Sequence, residues 1–185
     1  MEILEIKDLE ILAKKRVPKM FFDYVNSGSW TETTYNENVS DFQKIKLRQR
    51  VAIDMSNRTL ETKMINQTVS MPVAIAPTGL TGMQRADGEI LAAQAAEEFG
   101  IPYTLSTMSV CSIEAVAAKT TKPFWFQLYV MKDKKFMERL IDRAKEAKCS
   151  ALVLTLDLQL LGQRHKDLRN GLSTPPKLIP KHIYQ

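Results

Sequence analysis

The sequence predicts an α/β fold built on a parallel β-sheet, and three observations carry that prediction. From residue 70 onward, short and almost wholly apolar runs alternate with amphipathic stretches of helical period. The runs begin every ~25–30 residues, a spacing that fits consecutive right-handed βα units. Polar side chains stand at the C-terminal ends of those runs, where parallel-sheet proteins build their sites.

The chain has 185 residues, of which 44% are hydrophobic and 25% charged. That composition excludes a disordered tail, a collagen and a small disulfide scaffold. At roughly 100–200 residues per domain, the length predicts one compact domain with room for a small appendage.

Residues 1–65 read as an N-terminal helical segment. Asp8 is placed to cap a helix carrying Leu9, Leu12 and Ala13 at helical spacing. Pro18 suits the start of a second helix, Lys19 to about Asn26, which Ser27-Gly28 closes. Thr31-Glu-Thr-Thr opens a third, and Asn36 to Gln49 is too polar to assign.

Residues 66–185 carry the βα series. Its apolar runs are Met71–Ala76, Ile101–Leu105, Phe124–Val130 and Ala151–Leu156, each reading as a strand buried on both faces. Between them lie three predicted helices, Asp87–Phe99 with Gly100 as its stop, Ser112–Ala118 and Asp133–Ala147.

Several function classes recede on the same grounds. No apolar run approaches the roughly 20 residues that span a bilayer. The N-terminus alternates acids with aliphatics and has neither a basic start nor a small-residue cleavage site, so a cytoplasmic location is expected. The net charge of +5 is mild, and no stretch interleaves Lys and Arg with aromatics, so no nucleic-acid partner is expected. The cationic stretch from Arg164 through Lys181 reads most simply as solvated surface, with an acidic lipid or an anionic substrate as the alternatives. Cys111 and Cys149 are far apart, with no C-x-x-C pair and no His at metal spacing, and read as buried thiols.

The strand ends choose between two parallel architectures. Thr78, Ser106, Gln127 with Tyr129, and Thr155 with Asp157 fall at or just beyond four successive ends. Polar groups from several strands converging on one rim favour a (β/α)8 TIM barrel, whereas a doubly wound sheet concentrates its site at one switch point with a Gly-rich first turn. The first turn here is Pro77-Thr-Gly-Leu-Thr-Gly82. A full barrel takes about 250 residues, so this chain covers about the first four βα units, an incomplete barrel with open edges.

Gln127 and Tyr129 share a strand face, as do Thr155 and Asp157. Their bland alternative is mutual hydrogen bonding in a core, since an unpaired buried amide or hydroxyl costs ~1–3 kcal/mol. Tyr24 alone reads as a packed helix aromatic. Leu161–Asp167 reads as a charged loop, yet its place after the fourth strand puts Arg164 near the rim, where a guanidinium can grip a carboxylate. His165 and His182 sit in polar or cationic surroundings away from strand ends and are poor candidates for a general base.

The ordered segments Pro18-Lys-Met-Phe-Phe-Asp-Tyr24, Ser70–Thr78, Thr104-Leu-Ser-Thr107, Phe126-Gln-Leu-Tyr-Val130, Leu154-Thr-Leu-Asp157 and Leu161-Gly-Gln-Arg164 resemble the FMN-dependent 2-hydroxy-acid oxidoreductases. That family includes glycolate oxidase, L-lactate dehydrogenase and flavocytochrome b2. Phe21–Trp30 and Leu161–Asp167 look most like the bacterial respiratory L-lactate dehydrogenases. The resemblance implies an FMN across the barrel mouth, with the backbone of Pro77, Thr78 and Gly79 beside the isoalloxazine and Ser106, Gln127 and Thr155 hydrogen-bonding its polar edge. It implies that Tyr24, Tyr129 and Arg164 contact the substrate or its carboxylate.

The same resemblance implies a small L-2-hydroxy acid, L-lactate foremost, oxidised with a respiratory acceptor or oxygen taking the electrons. It implies a homo-oligomer in the complete enzyme, and the positive charge is compatible with a peripheral contact on the inner face of the cell membrane. Family members are about twice this long, and their second half carries the histidine base, a further arginine, a lysine and the phosphate loops. No catalytic base is therefore assigned here. Asp157-Leu-Gln stands where many members have Asp-Thr-Pro, and Gly79 where some have Ala, which blurs the subfamily. Losing about three phosphate hydrogen bonds at ~1.5–3 kcal/mol each weakens FMN binding more than a thousandfold. Lacking the base forfeits a further ~10²–10⁴ in rate. The expectation is thus an inactive or incomplete N-terminal fragment of such an enzyme. A non-enzymatic half-barrel pairing with a second chain is the alternative, and a flavin-free barrel enzyme acting on a phosphorylated metabolite is the third.

Overall fold

The computed structural model describes residues 2–65 and 67–172. In chain order its elements are α1 (Ile6–Arg16), α2 (Lys19–Val25), α3 (Thr33–Ser40), a 3-10 turn (Asp41–Lys44), β1 (Thr62–Met64), β2 (Gln67–Val69), α4 (Thr81–Gln84), α5 (Gly88–Phe99), β3 (Thr104–Ser106), α6 (Ile113–Ala117), β4 (Trp125–Tyr129), α7 (Lys134–Glu146), β5 (Ala151–Thr155) and α8 (His165–Asn170). These gather into two compact units, one formed by the described residues among 2–54 and 160–172, the other by those among 55–159.

The second unit holds the βα series. β3, β4 and β5 lie side by side, all parallel, with Ser106 opposite Gln127 and Tyr129 opposite Thr155. The predicted helices form between them and start where expected. Ser112 accepts from the Ala115 N–H at 3.1 Å and Asp133 from the Phe136 N–H at 3.0 Å, each satisfying an otherwise unpaired amide of a first turn. Gly100 ends α5 at φ +77, a left-handed backbone that glycine adopts freely.

Four features of this unit depart from expectation. The run 71–76 forms no strand and contributes only a parallel bridge from Ile75 to Tyr103. Pro102, just before the bridged Tyr103, and Pro77, just after the run, have no N–H to donate on either side of the bridge, so the ladder does not lengthen. β5 is not buried on both faces, because Leu152 and Leu154 are each 48% exposed. Cys111 and Cys149 are half-buried rather than buried. An antiparallel hairpin of β1 with β2, too short for a periodicity signal, was not anticipated.

Alternation along the strands separates two faces. Leu105, Phe126 and Leu128 join Ala93 and Ala96 of α5, Ile113 and Val116 of α6, and Leu140 and Ala144 of α7 in one apolar core. Thr104, Ser106, Trp125 and Gln127, all buried, occupy the opposite face. The helix-covered face thus supplies the stability, at ~1.5–3 kcal/mol per fully buried large apolar side chain. The polar face is left for the site.

In the first unit, Asp8 is the third residue of its helix rather than the cap. Glu5 is the cap, and the Asp8 carboxylate accepts from the backbone N–H of Leu4 and Glu5 at 2.9 and 3.1 Å. α2 buries Met20, Phe21 and Phe22. α3 begins two residues beyond Thr31. Of the stretch expected to be a charged loop, 161–164 is irregular as expected, while His165–Asp167 opens α8, which Gly171 closes at φ +69, so Arg164 is a helix cap. The rest of the expected cationic surface, with His182, lies outside the described residues.

Candidate functional site

The second unit places Ser106, Gln127, Tyr129 and Thr155 at the C-terminal ends of three adjacent strands, as the sequence predicted. Gln127 is the hub. Its Nε2 donates to Thr155 Oγ1 at 2.8 Å, and its Oε1 accepts from the Thr107 N–H at 3.2 Å and from Ser106 Oγ at 3.4 Å. Ser106 Oγ also accepts from the Met108 N–H at 3.1 Å. The hydroxyl of Thr107, a residue that sequence reasoning passed over, donates to the Gln127 carbonyl at 2.5 Å and accepts from the Tyr129 N–H at 3.3 Å. Its signal was its place directly after Ser106 at a strand end.

The mutual hydrogen bonding weighed as the bland alternative is therefore present. It does not exhaust the donors. Gln127 Nε2 spends one of its two N–H bonds on Thr155, and the Ser106 contact at 3.4 Å is long for a hydroxyl bond. An amide flanked by two hydroxyls offers the alternating donors and acceptors that the carbonyl–imide edge of a flavin requires, so the donor set fits that group. Ser106 and Gln127 are each 1% exposed, whereas Thr155 is half-buried and borders an open hollow of about 280 Å³ with Val130 and Gln159. Pro77 and Thr78 are exposed and Gly79 half-buried, in the segment that follows the Ile75 bridge. Asp157 is exposed, beyond the end of β5.

The first unit brings Tyr24 and Arg164 together. The guanidinium lies 4.8 Å from the centre of the Tyr24 ring, donates to the Tyr24 carbonyl, and reaches Ser27 Oγ at 3.0 Å. Asp167 Oδ2 pairs with Arg164 Nε at 2.8 Å. Burial pushes the Asp167 carboxyl above its ordinary value, Arg164 opposes that shift, and nearby Asp23 adds to it. Burial also acts to raise Asp23, but hydrogen bonds from Asn170 and Lys19 hold its carboxyl below the usual range. A cleft of about 370 Å³ opens beside Tyr24, Gly162, Gln163, Arg164 and Asp167, the size of a small-molecule pocket. Ser27 and Asp167 were not foreseen, although an acid three residues after Arg164 is the spacing at which a helical ion pair forms.

The two groups differ in chemistry: neutral hydrogen-bonding edges in one unit, and a cation held over an aromatic ring in the other. The model of the FMN-dependent dehydrogenase family matches residues 13–185, and the chain belongs to that family. The L-lactate dehydrogenase of Acinetobacter baumannii is 51% identical over 176 residues, which are 95% of this chain and 46% of that protein. Among solved structures, the monotopic membrane protein (S)-mandelate dehydrogenase aligns with a TM-score of 0.91 at 33% identity, over 99% of this chain and 49% of that one. A lactate oxidase of Pediococcus acidilactici aligns at 0.88 and 31%, over 96% and 50%. This chain thus spans about half the length of the relatives it matches. Its parallel βα series is part of the (β/α)8 barrel that these FMN-dependent proteins share, and the resemblance read from the sequence is borne out.

Proposed function

We propose that this chain supplies the first half of the flavin mouth of an enzyme that oxidises a small L-2-hydroxy acid, most directly L-lactate to pyruvate. The observation that carries the proposal is the Gln127 amide set between the hydroxyls of Ser106 and Thr155 on three neighbouring strand ends. In this reading Ser106, Gln127 and Thr155 hold the polar edge of FMN, and the Pro77–Gly79 backbone lies beside its ring. FMN, when bound, takes the two electrons that leave the hydroxy acid. Arg164 and Tyr24, with Tyr129, bind and orient the substrate carboxylate. Asp167 and Ser27 fix the guanidinium so that it meets the acid preorganised. The names of the relatives support L-lactate, and the monotopic relative supports a peripheral place at a membrane. Among the described residues no helix is long and apolar enough to cross one. The domain plan of this reading is a helical segment over 1–65 and a barrel half over 66–185, in a homo-oligomer that passes electrons to a respiratory acceptor or oxygen.

The uncovered face of β5, with Leu152 and Leu154 each 48% exposed, favours a second reading in which the chain is a non-enzymatic half-barrel that pairs with another chain. Flavin-fluorescence titration separates the two. FMN emission is expected to be quenched by the chain only weakly, at concentrations more than about a thousandfold above those that saturate a full-length relative. Gln127→Met is expected to weaken binding by about tenfold more, the loss of one or two hydrogen bonds. Equal affinity of Gln127→Met and the unsubstituted chain overturns the assignment. A discrete dimer with no affinity for FMN favours the half-barrel.

A further inference from the structure

The residues assigned so far leave unused a carboxylate that is 0% exposed, that of Glu89 at the start of α5. Its Oε1 accepts from the N–H of Gly82 at 3.0 Å and from the N–H of Val110 at 2.9 Å. Gly82 lies in α4, in the segment between the Ile75 bridge and α5, and Val110 lies in the segment between β3 and α6. One buried oxygen therefore staples the mouth segments of two successive βα units.

Three independent features show that this staple is built in. Leu80 N–H donates to the Met108 carbonyl at 2.9 Å, a backbone bond alongside the carboxylate. Leu80 and Asp87 bracket α4 at φ +57 and +58, a left-handed backbone that non-glycine residues keep only where their surroundings enforce it. A Cβ on Gly82 would come within 2.6 Å of Val110 Cβ and 3.0 Å of Glu89 Oε2, so the approach requires glycine. Burial works to raise the Glu89 carboxyl, yet the amides of Val110 and Gly82, with its own backbone N–H and the Cys111 thiol, outweigh it and hold the group below its usual value. Oε2 has no partner of good hydrogen-bonding geometry, although burial and then the neighbouring Glu89 carboxylate push the Cys111 thiol up.

We propose that Glu89 is a positioning residue of the candidate flavin site, holding the segment that carries Pro77, Thr78 and Gly79 in fixed relation to the segment that follows Ser106. The flavin part rests on the proposed function; the staple between the two segments does not. Because both amides converge on one oxygen, the amide of Glu89→Gln can keep both bonds, while Glu89→Ala loses them together.

Amide hydrogen exchange on the 185-residue chain, with FMN titration beside it, tests this. In Glu89→Ala, Gly82 and Val110 are expected to exchange about tenfold faster or more, in step, with the β3 to β5 amides unchanged, and FMN affinity falls by about tenfold. Glu89→Gln is expected to restore both readouts. Unchanged exchange in Glu89→Ala, independent responses of the two amides, or a Gln variant that behaves like the Ala variant overturns the staple. Loosened segments with unaltered FMN affinity overturn the positioning role. If Glu89→Ala does not fold, Glu89→Asp, one methylene too short to reach both amides, is judged on the same criteria. Absence of FMN quenching in the unsubstituted chain even at those raised concentrations counts against the proposed function, and exchange alone then decides the staple.

Discussion

The two units hold themselves together by different physics. In Met55–Gln159, three helices cover one face of a parallel sheet, and Leu105, Val116 and Phe126 are at most 1% exposed. In the other unit α1 buries no residue, and the buried apolar side chains among the described residues are Met20, Phe21 and Phe22 of α2. What ties α8 to α2 there is polar: Arg164 on Ser27 and the Tyr24 carbonyl, Lys166 on the Asn26 carbonyl at 2.9 Å, and Asn170 on Asp23 at 2.7 Å. An apolar core is indifferent to pH and salt, whereas a polar clasp is sensitive to both. The neutral, hydrogen-bonding candidate site sits on the first kind of scaffold and the charged one on the second.

Substitutions can break that contrast. Phe126→Ala is expected to cost about 3–5 kcal/mol, a lowered midpoint in chemical denaturation for the sheet unit, because a closely packed core closes poorly over a lost ring. Arg164→Met is expected to cost less, about 1–3 kcal/mol, and to show as faster exchange and proteolysis in α2 and α8 with the sheet unaltered. If Arg164→Met unfolds the sheet as well, the two units are not separate in stability.

The smallest effects are those of pH, and they run in opposite directions. The hydrogen-bonded pair with Arg143 lowers Glu114 from 4.5 to about 2. A depressed carboxyl stabilises above its unfolded value, and that contribution fades as pH falls from 4.5 toward 2. Both partners are largely exposed, so the loss is well under ~1 kcal/mol and shrinks in salt. Asp167 is raised, so its folded form binds the proton more readily and its own contribution improves as pH falls through its folded value, against the loss from the lowered Asp23 beside it. Site-resolved titration by NMR should show Glu114 titrating well below, and Asp167 above, its ordinary value.

Much of this was legible in the sequence. Apolar runs bounded by capping residues located β3, β4, β5 and the helices between them, because burial and capping are local and periodic. The same logic failed where a partner decides the outcome. Met71–Ala76 has the composition of a strand, but the prolines on both sides of the pairing restrict it to one bridge. Leu161–Asp167 is polar enough for a loop and 161–164 is one, yet from His165 onward α8 forms, its polar side chains finding partners on and just after α2. At the site, strand alternation brought Gln127, Ser106 and Thr155 together correctly. Glu89 escaped notice because an acid in the first turn of a helix is ordinary, and only the fold reveals that no water reaches it.

The bond from Gln127 to Thr155 has a consequence for how β5 finds its place. Among the described residues that strand has one neighbour, β4, and it alternates half-buried with exposed residues. Sliding it by one residue would turn Leu152 and Leu154 toward the polar side and carry the Thr155 hydroxyl away from the amide. The side-chain bond therefore acts as an alignment mark, and the same amide that presents itself at the mouth also proofreads the strand beside it.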